Sequence, residues 1–129
     1  MNFLIQPKKY KSLMADKGSR IHVSTNPRSP VAEAFRTIRA AIELSGKQPP
    51  KTILVTSSRT GEGKTTIASN LAAIFSQSGK RVILVDADLR RPAIHSSVGI
   101  PNRLGLSTLL RDSLQPKDVW KSYGNSHKS

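Results

Sequence analysis

Ser58-Arg59-Thr60-Gly61-Glu62-Gly63-Lys64-Thr65-Thr66 follows an apolar run, Thr52-Ile53-Leu54-Val55-Thr56, and leads into a segment of helical periodicity. Strand, glycine loop and helix in that order spell a phosphate cradle. Glycines 61 and 63 let the backbone turn so that successive N–H groups converge on one anion, and a helix starting near Gly63 brings the positive end of its dipole to the same point. In that geometry Lys64 reaches the β and γ phosphates of a nucleotide and the Thr65 hydroxyl ligates magnesium. Thr60, Gly61, Glu62, Gly63 and Thr66 complete the binding loop. The pattern G-x-x-x-x-G-K-[ST] is departed from once, at its first position, where Ser58 replaces glycine.

Downstream, Ile67, Leu71, Ile74 and Phe75 recur along one helical face, and Gly79 stands where a C-terminal cap is expected. Next comes Arg81-Val82-Ile83-Leu84-Val85-Asp86-Ala87-Asp88-Leu89-Arg90-Arg91-Pro92, a β-branched run that ends in carboxylates. The run suits a buried parallel strand, and with the helix before it completes a right-handed β-α-β unit of about thirty residues. Ligands of such sheets lie beyond the carboxyl ends of the strands, where the glycine loop and Asp86 both emerge. If the chain stays extended, the period of two sends Asp86 and Asp88 to one side, where they hold magnesium or its waters. Asp86 is also placed to take a proton from an attacking hydroxyl. The competing role for Asp86 is a helix N-cap or turn residue at the strand end. Arg90 and Arg91 either meet phosphate or are simply solvated.

Upstream, Ser29-Pro30 followed by Val31, Phe35, Ile38 and Ile42 predicts a capped helix with one apolar stripe. Glu33 and Arg36 fall on the opposite side and Arg39 on the flank. By itself this face is a solvated surface with an i,i+3 ion pair.

Together the loop, the V-D-A-D-L-R-R-P strand end and the E-x-x-R-x-x-R helix resemble the bacterial protein-tyrosine kinases that control capsule and exopolysaccharide export. These kinases share a deviant P-loop fold with the partition and septum-positioning ATPases. Arg59 occupies the position of the signature lysine of the latter group, which tilts the resemblance to the kinases. Gly99 to Leu110 resembles the family's next element, a short helix after an N-x-x-G-L-S turn, so the resemblance runs from about residue 24 to about residue 114. It implies an α/β, P-loop NTPase-type parallel sheet with flanking helices, ATP and Mg2+ as cofactors, and transfer of the γ-phosphate to protein tyrosine. Lys64, Asp86 and Asp88 are then the catalytic residues, with Thr65, Asp86 and Asp88 on the metal. Glu33, Arg36 and Arg39 join subunits into a homo-oligomer, and a transmembrane modulator of polysaccharide export is the partner.

The resemblance implies a further apolar strand ending in aspartate and a tyrosine-rich tail, but no run of four or more apolar residues closing on an acid follows Asp88, and Tyr10 and Tyr123 form no cluster. The expectation is therefore an incomplete domain, the first half of a kinase, with impaired catalysis and either marginal stability or association with another chain. The alternatives are a non-catalytic interaction module and a partition-type ATPase.

Composition sets bounds. The 129 residues carry a net charge of +13, and a basic leader, residues 1–28, precedes the partial domain, residues 29–114, and a polar tail, residues 115–129. The leader has neither an amphipathic pattern nor interleaved aromatics, which argues against a nucleic-acid partner. No apolar run reaches the length of a membrane span and no signal peptide is visible, so the expected location is the cytoplasm, peripheral to the membrane through a partner. Cysteine is absent, and His22, His95 and His127 have no ligand spacing. Trp120 reads as a packing residue.

Overall fold

Two helices of equal length carry the core, and each has the ends its sequence prescribes. The computed structural model describes residues 2–5 and 21–123. Helix α2, Pro30–Glu43, starts at Ser29, whose hydroxyl accepts the Ala32 amide at 3.1 Å, with Pro30 in the first turn. Helix α3, Lys64–Gln77, stops in a Schellman closure: the Gly79 amide bonds the Ser76 carbonyl at 3.0 Å and the Lys80 amide bonds that of Phe75 at 3.2 Å. Gly79 takes φ +88°, the left-handed conformation that makes glycine the residue of choice there.

The buried stripe of α2 is Ala32 and Phe35, packed on Leu71, Ala72, Ala73 and Ile74 of α3. This corrects the expected stripe. Val31 and Ile38 are 47% and 40% exposed, and Ile67 of α3 is 40% exposed. Close approach of two helices favours the small Ala32, Ala72 and Ala73, so the packed face is rotated toward alanine and away from the bulkier residues. Burying Ile74 and Val23 completely contributes about 1.5–3 kcal/mol each.

A short helix α1, His22–Thr25, is fastened to α3 by two side chains seven residues apart. The Val23 amide donates to Asn70 Oδ1 at 3.0 Å, and its carbonyl accepts Gln77 Nε2 at 3.2 Å. Asn70 also donates to the Thr66 carbonyl at 2.8 Å and is fully buried. Asn70 carries no signal in the sequence, because a polar residue in an apolar helix face gains a meaning only from its partner.

Strand β2, Val82–Val85, pairs antiparallel with β1, Asn2–Ile5, and β1 pairs parallel with β3, Trp120–Tyr123. The sheet order is β2-β1-β3. Three expectations are corrected here. Residues 2–5 and 120–123, read as leader and tail, supply strands. The run Thr52–Thr56 is not a strand, and among the described residues its backbone has no hydrogen-bond partner. Among the described residues the 52–56 run forms no ladder with β2, because a strand exists only where a neighbour completes its hydrogen bonds. Along β2, Leu84 is buried while Ile83 and Val85 are about half exposed, so only one face is covered.

Between the unpaired 52–56 run and β2 lies an apolar slot of about 610 Å³, floored by Leu71, Ala72 and Phe75 and walled by Ile53, Val55 and Val82. Helix α4, Ile94–Ser97, and helix α5, Leu106–Arg111, follow β2, then α6, Pro116–Val119. The basic residues of the leader up to Arg20, Tyr10 and His127 lie outside the described residues.

Candidate nucleotide-binding site

Gly61 and Gly63 adopt φ +86° and +91°, and Gly63 is the N-cap of α3 with no side-chain cap. The first helical amide with an acceptor is that of Ile67, bonded to the Gly63 carbonyl at 2.9 Å. Among the described residues the amides of Lys64, Thr65 and Thr66 therefore have no intrachain acceptor. Donors left open at a helix N-terminus and aligned with its dipole favour an anion. All three residues are partly exposed, so the site is reachable.

The loop before them is braced from within. The Glu62 carboxylate accepts the Arg59 amide at 3.1 Å and the Ser58 hydroxyl at 3.3 Å, and the Ser57 hydroxyl donates to the Arg59 carbonyl at 2.8 Å. Thr60, like Arg59, is exposed.

Asp86 is buried, and three backbone amides hold its carboxylate. Oδ1 accepts Asp88 N at 3.1 Å, and Oδ2 accepts Ala93 N at 2.9 Å and Ile94 N at 3.0 Å. The bond to Asp88 is an Asx-turn, so the chain turns at Asp86 and residues 86 and 88 do not alternate as in an extended strand. Asp88 is exposed and in turn accepts the Arg91 amide at 3.0 Å. The two aspartates nonetheless line one small cavity of about 40 Å³ with Asn102 and Ser107. The structure thus gives Asp86 the capping geometry and keeps Asp86 and Asp88 side by side.

On α2, Arg36 bonds Glu33 and donates to the Pro27 carbonyl at 2.7 Å. Arg39 is not free on a flank: it lies 3.8 Å from Glu43 and 3.5 Å from the Ile74 carbonyl, between α2 and α3. A further ion pair, Arg111 with Asp112, closes the end of α5. There the hydrogen bond from Arg111 holds the Asp112 carboxyl below the usual range, and Asp112 raises Arg111.

A glycine loop turning into an open helix N-terminus, followed by a strand that ends on a buried aspartate, defines a nucleotide-binding domain of the P-loop class. Residues 53–112 match the CbiA family, described as the CobQ/CobB/MinD/ParA nucleotide binding domain. More narrowly, about three quarters of the chain is similar to proteins named as bacterial tyrosine-protein kinases. It is 41% identical over 104 residues to the tyrosine-protein kinase YwqD of Bacillus subtilis, covering 77% of this chain and 44% of that one. The succinoglycan biosynthesis transport protein ExoP of Rhizobium meliloti is 38% identical over 104 residues, 78% of this chain and 13% of ExoP. The crystal structure of the chimerical protein CapA2B2 superposes with a TM-score of 0.68 at 36% identity, over 77% of this chain and 44% of that one. The chain thus spans less than half the length of these relatives.

Proposed function

We propose that this chain binds ATP with magnesium at Thr60–Thr66 and is the nucleotide-binding part of a tyrosine kinase acting in polysaccharide export. The observation that carries the reading is the set of open amides at Lys64, Thr65 and Thr66 behind two left-handed glycines. They supply a cradle for the phosphates; Lys64 adds a cation, and the Thr65 hydroxyl and the Asp88 carboxylate are oxygen ligands suited to magnesium. Magnesium, when bound, offsets charge on the transferred group. Asp86, held by three amides, orients this strand end and is the candidate base. The γ-phosphate acceptor is a protein tyrosine, and the partner is a membrane protein of the export machinery. Among the described residues no helix is long and apolar enough to cross a membrane, so attachment through that partner at the cytoplasmic face is the reading adopted here.

Calorimetric titration of the chain with ATP and magnesium tests the reading. Saturable one-to-one binding, lost in Lys64→Ala, is expected; a chain that takes up no nucleotide overturns it. A subunit contact through α2 is a second reading, favoured by the exposure of Val31 and Ile38 one heptad apart on one side of the helix and of the Glu33–Arg36 pair on the other. Reversal of charge at Glu33, Arg36 and Arg39 should then abolish association, as read by sedimentation velocity.

A further inference from the structure

Glu62 lies within the binding loop but offers phosphate neither a cation nor a hydroxyl, and Ser58 is the one departure from the loop pattern. The structure joins them. The hydroxyl of Ser58 stands 3.3 Å from both carboxylate oxygens of Glu62, and one of those oxygens takes the Arg59 amide at 3.1 Å. Gly61 and Gly63, the two left-handed residues, flank Glu62 on either side. The carboxylate between these turns reaches back to residues 58 and 59 at the exposed surface of the loop. The clasp closes a ring of five residues at the entrance of the loop.

We propose that Glu62 is a positioning residue, which through Ser58 and the Arg59 amide holds the loop in its anion-binding shape before any ligand arrives. The inference rests on the nucleotide-loop reading. A loop of glycines and short polar residues has many open conformations, and each one excluded beforehand is ordering that the ligand need not supply. The clasp also assigns the amides. With the Arg59 N–H taken by an internal carboxylate, the phosphates are left to the donors from residue 60 onward. The clasp explains why serine stands where glycine is usual: glycine has no hydroxyl to offer the carboxylate.

The test compares Glu62→Ala, Glu62→Gln and Ser58→Ala in the full chain, all at exposed positions outside the core. Glutamine keeps an acceptor oxygen and so keeps the Arg59 bond, whereas alanine has none. Two readouts are taken: solvent exchange of the Arg59 amide by NMR without ligand, and the Kd for ATP with magnesium. Glu62→Ala is expected to speed Arg59 exchange and weaken binding by about tenfold, with Glu62→Gln within about threefold of the parent. Ser58→Ala should add little on top of Glu62→Ala, because both break one clasp. Unchanged Arg59 exchange in Glu62→Ala overturns the clasp. So does a glutamine variant as impaired as alanine, or an alanine variant that binds as tightly as the parent. If the parent binds no nucleotide, the nucleotide reading falls, while the exchange measurement still decides whether Glu62 orders the loop.

Discussion

The Ile94 amide donates to Asp86 Oδ2 at 3.0 Å, and both residues are buried, so the end of β2 and the start of α4 are fixed to each other by one carboxylate. The Ala93 and Asp88 amides converge on the same group. A residue that first reads as chemistry is therefore also a structural clamp. Its substitution must be judged on both counts.

Asp86→Ala removes both carboxylate oxygens, which serve three amides, and leaves the Ile94 amide buried without that acceptor. The expected loss is about 2–4 kcal/mol, measured by urea unfolding. Asp86→Asn keeps one acceptor oxygen and should lose less. Equal stability of Asp86→Ala and the parent would contradict the clamp.

Asn70→Ala takes Asn70 Oδ1 from the Val23 amide, a fully buried residue, and cuts one of the ties from α1 to α3. A loss of about 1–3 kcal/mol is expected. Proteolysis near residues 21–25 should accelerate in parallel, since α1 is then held to α3 by Gln77 without Asn70.

Gly63 stands at φ +91° with open space where a Cβ would go. Gly63→Ala therefore acts on backbone conformation alone, and about 1–2 kcal/mol of strain is expected at this loop position. Gly63→Asn should be milder, because asparagine visits the left-handed region more readily. ATP titration of the two variants checks the order; a reversed order would show that space, not backbone angle, governs the position.

Leu54 is 84% exposed within a run whose backbone has no partner among the described residues. An unpaired apolar edge invites pairing with another chain. Concentration-dependent association is expected by sedimentation velocity, and Leu54→Lys should reduce it while changing stability by less than about 0.5 kcal/mol.

Asp112 provides the pH test. Its folded-state value is depressed, so the stability it contributes is present above the ordinary aspartate range and lost as pH falls through the lowered value. Both partners are exposed, so the effect is small and salt-sensitive. The difference in melting temperature between the parent and Asp112→Asn should vanish in acid.

Local chemistry was written in the chain. Ser29-Pro30 sets the start of α2, Gly79 the end of α3, and Gly61-Glu62-Gly63 the turn that opens the helix to an anion, because caps and positive φ angles are decided by residues a few places apart. Tertiary structure alone decided the rest. That α2 buries Ala32 and leaves Val31 exposed, that Asn70 clips Val23, that Asp86 spends its oxygens on Ala93 and Ile94, and that β2 pairs with residues 2–5 while 52–56 pairs with nothing described, all depend on which distant partner completes each hydrogen bond or contact. Periodicity names a face or an acceptor; only the folded chain supplies what meets it.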